Sequence, residues 1–248
     1  MRRLLPALLG SLALAACSSA DAGTDTSPAA PTMTRAGEAP LVVELFTSQG
    51  CSSCPPADRL LAKIARDGGA SGRAVIPLSF HVDYWNDLGW ADPFSLPAWT
   101  ERQHQYADAL GDNRVYTPEL VVGGAAGMVG SQAGNVERAI ADAPPQRPVT
   151  ASAQWARDTV VVTATAPADA DIVVAVWEQD TRTKIPRGEN AGETLGSARV
   201  VRRLDRVAAA GQTGSVTVAI DPAWREVGAV AFAQRRDRRI TGATLLPR

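Results

Sequence analysis

The feature that most constrains the fold is a pair of cysteines that follows an apolar run. Residues 41–46 read Leu-Val-Val-Glu-Leu-Phe, which predicts a strand buried on both faces, and Cys51 and Cys54 come shortly after it. Residues 57–66 then carry apolar side chains at helical spacing. A C-x-x-C motif at such a strand–helix junction is typical of a thiol–disulfide redox centre.

Two details of this motif stay open in the sequence. The cysteines could also form a static disulfide or half of a zinc site, but no second C-x-x-C supplies two more zinc ligands. If Cys51 caps the helix, the helix dipole favours a thiolate there. If the helix begins at Pro55, both cysteines lie in a loop and the dipole acts weakly on Cys51. In exchange chemistry Cys51 is the predicted attacking thiol and Cys54 the resolving one.

The third cysteine belongs to a predicted export signal. A basic start and the apolar residues 4–16, too few to span a membrane, lead to Leu-Ala-Ala before Cys17. This resembles the bacterial lipoprotein signal, so residues 1–17 are predicted to be a signal peptide with an acylated Cys17. Residues 18–40 are predicted to be a disordered tether, because they contain almost no residue that a core could bury. The expected location is the bacterial cell envelope, lipid-anchored and facing the periplasm, where disulfides form.

The net charge and the cysteine pair limit the classes of partner that this chain is expected to bind. The formal net charge of -1 leaves no basic stripe to neutralise phosphates, so nucleic acid is not an expected partner. The expected partners are thiols or disulfides of envelope proteins, and the membrane through the lipid anchor. No cofactor is predicted.

The pattern changes at a Pro-rich link, residues 143–148. Before it, strand-like and helix-like segments alternate; after it, short alternating segments recur without an amphipathic helix. The sequence therefore predicts an α/β domain at residues 41–142 and a small all-β, sandwich-like domain at residues 149–248. The second part carries no set of catalytic residues and is expected to bind or dock a partner.

The order of elements in the first part, with C-x-x-C at the first strand–helix junction, resembles the thioredoxin fold. Thr117 and Pro118 stand where thioredoxin-like proteins keep a cis-proline that faces the sulfurs, which implies substrate binding there. The chain also resembles a family of exported bacterial thioredoxin-like proteins, classified as domain of unknown function 1223, in residues 46–58, 81–85, 89–94, 116–118 and 188–192. The resemblance implies an α/β thioredoxin-like domain but no established substrate.

His81 raises an alternative. His81 and Asp83 are two residues apart on a predicted strand and share a face, so Cys51, Cys54 and His81 together suggest a Cu(I) or other soft-metal site. The other interpretation is that His81 is a hydrogen-bonded residue at a strand end. The turn at residues 188–192 either lies near the cysteines or simply closes a loop.

Together these patterns predict an envelope-anchored thiol–disulfide exchange protein with an unknown client. Two alternatives remain: a Cu(I)-binding chaperone, and a non-catalytic interaction module with a structural disulfide.

Overall fold

A computed structural model describes residues 38–112 and 114–248. The predicted signal peptide at residues 1–17, its acylated Cys17, and residues 18–37 of the predicted tether lie outside the described residues. Within the described ranges, no helix combines the length and the apolar character needed to cross a membrane.

The N-terminal half, up to the Pro-rich link, contains every described helix. Its elements are β1 (Leu41–Thr47), α1 (Pro55–Asp67), β2 (Gly69–Ala70), β3 (Arg73–His81), α2 (Pro97–Leu110), β4 (Glu119–Val122), β5 (Ala126–Val129) and α3 (Ala133–Asp142). Local signals set these bounds. Pro97 fits the first turn of α2, and Gly111, in the left-handed region at φ 71°, ends it.

The C-terminal half contains only strands among its described elements. They are β6 (Thr150–Trp155), β7 (Thr159–Thr165), β8 (Asp171–Glu178), β9 (Thr181–Lys184), β10 (Thr194–Ser197), β11 (Val200–Ala208), β12 (Thr213–Ala219), β13 (Gly228–Gln234) and β14 (Ile240–Leu246). The sequence analysis missed β9 and β10, because these short polar strands carry no apolar alternation.

The predicted fold class, an α/β thioredoxin-like domain followed by a small all-β sandwich-like domain, is wrong. Strands make up 42% and helices 18% of the described residues, so the chain is mainly β. One mixed nine-stranded sheet runs through both halves in the order β14-β13-β8-β11-β3-β1-β4-β5, with β2 paired to β3. The halves join where Val200 of β11 pairs in parallel with Ser79 of β3.

The physical reason lies in the shared core. Apolar side chains of β1, β3 and α2 form one cluster with side chains of β8, β11, β13 and β14. Phe46 and Phe80 stack with ring centroids 5.6 Å apart, and Phe232 belongs to the same cluster. Strands β8 and β13 carry buried apolar side chains on both faces: one face forms a core within the C-terminal half, and the other face joins the cluster shared with the N-terminal half.

Two further layers cover the other face of the sheet. Helices α1 and α3 pack with β1 and β4 around an aliphatic cluster that includes Leu61, Leu120 and Ile140. The three-stranded sheet β12-β7-β6 packs over β8 and β13. Because α1 lies at the end of β1, the C-x-x-C motif sits at the edge of this covered face.

Candidate functional site

The C-x-x-C motif forms a tight turn between β1 and α1. Cys51 and Cys54 are joined by a disulfide, with their Cα atoms 5.4 Å apart. The Cys51 amide donates to the Ser48 carbonyl (3.2 Å), and the Cys54 amide donates to the Cys51 carbonyl (3.3 Å). Helix α1 begins at Pro55 with Cys54 as its N-cap, so Cys51 lies in the turn before the helix. This is the second of the two arrangements that the sequence allowed.

The disulfide lies just beneath the surface. Both cysteines are 0% exposed, whereas Ser52 and Ser53 between them are exposed. The Ser53 hydroxyl lies 3.3 Å from Cys51 Sγ and 3.4 Å from the carbonyl oxygen of Thr117. One hydroxyl therefore touches the sulfur that exchange chemistry would attack and the segment opposite it.

Thr117 and Pro118 lie beside the turn. The peptide bond between them is cis. The Thr117 hydroxyl accepts a hydrogen bond from the indole N–H of Trp85 (2.8 Å), while its carbonyl faces Ser53. The structure thus brings Cys51, Cys54 and Thr117 to one place; substrate binding at Thr117 and Pro118 stays a prediction.

A group of buried polar side chains lies behind the turn. His81 Nδ1 and Asp92 Oδ2 are 2.7 Å apart, and the same Asp92 oxygen accepts the amide of Gln49 (2.7 Å). Asp58, one helical turn after Cys54, accepts the Thr47 hydroxyl at Oδ2 (3.2 Å). Asp58 Oδ1 and His81 Nε2 are buried without a hydrogen-bond partner. We call Asp58, His81 and Asp92 the rear cluster.

Burial and mutual charge shift the pKa values of the rear cluster. Burial raises the pKa of Asp58 to about 7, against the opposing effects of His81 and the Thr47 hydroxyl. Burial lowers the pKa of His81, but Asp92 and Asp58 outweigh it and raise that pKa above its usual value. Burial raises the pKa of Asp92, but His81 and two backbone amides bring it below its usual value. The pKa of Asp58 therefore lies close to neutral pH, and His81 keeps its proton to a higher pH than a free imidazole does.

The sequence analysis missed Asp58 and Asp92. The spacing of Asp58 from Cys54 was visible, since residues four apart share a helix face. The pairing of Asp92 with His81 was not, because Asp92 lies in a loop after β3.

The soft-metal interpretation gains little from this geometry. His81 uses Nδ1 on Asp92, and Asp83 instead accepts the hydroxyl of Thr100. In the described part of the chain, no group of three or more His, Cys, Asp and Glu side chains is arranged to hold a metal ion. His81 is a hydrogen-bonded residue at the end of β3, and its role in a Cu(I) site stays a prediction.

A loop of the C-terminal half covers the C-x-x-C turn. The amide of Asn190 donates to the carbonyls of Gln49 (2.9 Å) and Cys51 (3.0 Å), and the Ser52 amide donates to the Glu189 carboxylate (3.0 Å). We call residues 185–193, between β9 and β10, the covering loop. The open question about residues 188–192 is answered: they lie against the cysteines. Glu189 and Asn190 had no local signal, because their partners are more than a hundred residues away in the chain.

Comparison with solved structures finds two chains that are similar in fold over most of their length. A protein from Agrobacterium tumefaciens solved by structural genomics is 29% identical, with a TM-score of 0.64, covering 84% of this chain and 95% of its own. HBP35 of Porphyromonas gingivalis is 14% identical, with a TM-score of 0.56, covering 84% of this chain and 74% of its own; it shows likeness of fold alone. None of the curated proteins matches this chain.

A family model supplies the classification. It matches residues 42–234, which include β1, the C-x-x-C turn, the rear cluster, the covering loop and β13. The match therefore spans both halves of the nine-stranded sheet. The chain belongs to the family described as protein of unknown function DUF1223.

Proposed function

We propose that this protein exchanges thiols and disulfides with proteins of the bacterial cell envelope through Cys51 and Cys54. The observation that carries the proposal is the disulfide in a surface turn, with the Ser53 hydroxyl 3.3 Å from Cys51 Sγ. In the reduced pair, the Ser53 hydroxyl can turn its one proton from the Thr117 carbonyl to a Cys51 thiolate and lower the energy of that thiolate. Thr117, beside Ser53, offers a backbone carbonyl to a bound segment.

In the reduced pair, Cys51 is the attacking residue. Its thiolate attacks one sulfur of a client disulfide, forms a mixed disulfide and releases the other client sulfur as a thiolate. The Cys54 thiolate then attacks Cys51 Sγ, forms the Cys51–Cys54 bond and releases the second client thiolate. The client gains two electrons and the pair loses two; the reverse sequence oxidises a client dithiol.

The anchor is part of the same proposal. The lipoprotein-like pattern that ends at Cys17 supports attachment to a membrane by an acyl chain, with the folded part facing the periplasm. In that compartment both the disulfide and the dithiol form are chemically accessible.

The test uses the full-length protein expressed in a bacterial envelope. A Cys54→Ser variant should accumulate mixed disulfides at Cys51, seen as reducible adducts on non-reducing electrophoresis of the membrane fraction. The matched Cys51→Ser variant should form none, and Cys17→Ser should move the adducts to the soluble fraction. An inert Cys54→Ser variant, together with a reduced wild-type pair that fails to exchange with oxidised glutathione, would refute the proposal.

The second candidate is a non-catalytic module with a structural disulfide. The complete burial of both sulfurs favours it, because exchange requires a client sulfur to reach Cys51. The redox state of the pair in living cells separates the two. A pair that stays oxidised under every condition favours the structural role, and a mixture that responds to thiol pathways favours exchange.

A further inference from the structure

Something must move before a client reaches the disulfide. Cys51 and Cys54 are 0% exposed even though the two serines between them are exposed. The groups that pack against the turn therefore block a client from reaching the two sulfurs. Among these groups, the covering loop is the part that belongs to the other half of the chain.

Three hydrogen bonds tie the covering loop to the turn. Asn190, itself 8% exposed, bridges the carbonyls of Gln49 and Cys51 with one amide nitrogen. The Glu189 carboxylate accepts the amide of Ser52, the residue directly after the sulfur that a client would attack. These bonds fix the backbone on both sides of Cys51.

The covering loop is closed on itself by hydrogen bonds within the β9–β10 hairpin. Its ends are joined by two bonds, from the Ile185 amide to the Glu193 carbonyl (2.9 Å) and from the Gly192 amide to the Ile185 carbonyl (2.8 Å). Strands β9 and β10 pair with each other in a separate two-stranded sheet. A lone two-stranded hairpin is marginally stable, so its position depends on what it packs against.

Two contacts show how closely the hairpin packs against the residues around the C-x-x-C turn. A Cβ atom added to Gly89 would lie 3.1 Å from the Cα of Gly188, so two backbones touch there. The Gln49 side chain donates to the Thr183 hydroxyl of β9 (2.9 Å). The hairpin thus rests on the C-x-x-C turn and its neighbours instead of on the ladder of the main sheet.

We propose that Glu189 and Asn190 control which sulfur compounds reach Cys51, and that the client is an extended cysteine-containing polypeptide segment. This inference rests on the proposed exchange function. When the covering loop lifts, the Ser52 amide is free to donate to a backbone carbonyl, and the Thr117 carbonyl lies nearby. Exposed backbone groups of this kind bind extended segments.

The oxidised pair then reacts with a client dithiol as follows. A client thiolate attacks Cys51 Sγ, the Cys51–Cys54 bond breaks, and Cys54 leaves as a thiolate that takes up a proton. The second client thiolate attacks the client sulfur of the mixed disulfide and releases Cys51, which takes up a proton. The client ends as a disulfide, two electrons poorer, and the pair ends as two thiols.

Reduction rates of the full-length oxidised protein test the inference. The reductants are tris(3-hydroxypropyl)phosphine, an uncharged phosphine that reports access alone, and a short uncharged synthetic peptide dithiol. Asn190→Ala should speed reduction by both about tenfold, since a tenfold change corresponds to about 1.4 kcal/mol, within the combined net effect of the two hydrogen bonds that Asn190 makes. Glu189→Ala should increase the rate of reduction by the peptide more than the rate of reduction by the phosphine, because it frees the Ser52 amide to bind a peptide carbonyl. Glu193→Gln, an exposed carboxylate of the same loop, should change neither rate.

Equal phosphine rates in the wild-type protein and Asn190→Ala would overturn the role of the covering loop. Equal acceleration of both reductants by Glu189→Ala would overturn the polypeptide client. The urea dependence of the rate guards against simple unfolding, because loop opening exposes little surface and should give a slope well below that of global unfolding. A slope equal to global unfolding would also overturn the inference. Failure of the exchange function shows separately, as absence of mixed disulfides in Cys54→Ser while these rates still differ.

Discussion

Two groups of buried polar side chains lie on opposite faces of the central sheet, and they differ in how completely they are paired. On the α2 face, Arg102 donates from Nε to Glu44 Oε1 (2.8 Å) and from Nη2 to Glu44 Oε2 (3.1 Å). Tyr106 donates to the same carboxylate, and Gln234 of β13 bonds both Tyr106 and Arg102. We call these four residues the front cluster.

The rear cluster on the α1 face is paired only in part. Asp58 Oδ1 and His81 Nε2 have no hydrogen-bond partner, whereas every side-chain nitrogen and oxygen of the front cluster has one. Burying an unpaired polar atom costs free energy, so a fold keeps one where packing or function requires it. The front cluster therefore serves to join β1, α2 and β13, and the rear cluster is the place where protonation can change near neutral pH.

The largest expected effect comes from breaking the front cluster. Glu44→Gln removes the charge that Arg102 faces in a buried site, and breaking a buried ion pair by removing one partner costs about 3–5 kcal/mol. The free energy of unfolding, from urea titration followed by tryptophan fluorescence, should fall by that amount. Asp108→Asn, an exposed carboxylate of α2, is the control and should leave it nearly unchanged. A loss as small as the control would show that the front cluster does not join the two halves.

The next effect is the pH dependence that the rear cluster confers. The pKa of Asp58 in the folded state, about 7, lies above its value of 3.8 in the unfolded chain, so the folded protein binds one proton more between these pH values. Stability is therefore lost as the pH rises from about 4 to about 7. His81, whose folded pKa is also raised, adds stability below pH 6.5 that is lost as the pH rises through its folded pKa.

Asp58→Asn should remove the first of these two losses. We expect the free energy of unfolding of the wild-type protein to fall by a few kcal/mol between pH 4 and pH 8, at about 1.4 kcal/mol per unit of pKa shift. The variant should show a clearly smaller fall. The front-cluster variant Glu44→Gln serves as the comparison and should keep the wild-type pH dependence. Parallel curves for wild type and Asp58→Asn would show that Asp58 is not the titrating group.

The smallest effect concerns the sulfur itself. Ser53→Ala removes the hydroxyl at Cys51 Sγ and should raise the pKa of the Cys51 thiol in the reduced protein, slowing alkylation by iodoacetamide about threefold at pH 7. Ser152→Ala, which changes an exposed serine of β6, is the control. If the two variants react at equal rates, Ser53 has no role in activating Cys51.

Local elements could be predicted well from the sequence, and their assembly could not. Pro97 and Gly111 are local signals that mark the two ends of α2, and the apolar run predicts β1. The Pro-rich link suggested two separate folds, because composition changes there. The continuous sheet depends on one pairing, Val200 with Ser79. These residues are far apart in the chain, and the sequence around neither of them indicates the other as its partner.

The candidate site divides in the same way. Cys51, Cys54 and the Thr117–Pro118 pair were visible in short motifs, and the structure brings them together. The rear cluster was not visible as a partner of the cysteines, and the sequence left open whether residues 188–192 lie near them. Asp92 and Asn190 each make two or more hydrogen bonds, mostly to residues distant in the chain, and a single polar residue in a loop has no periodicity to detect.

The sequence by itself determined the reactive groups, which are one C-x-x-C pair with a serine beside each cysteine. It also determined the lengths of several helices and strands, because interactions within a few residues set them. The tertiary structure alone decided that both sulfurs are buried, that Asp58 titrates near neutral pH and that residues 189 and 190 hold the turn. Burial and pairing depend on which distant surfaces meet, and that depends on the packing free energy of the whole chain instead of on any short segment.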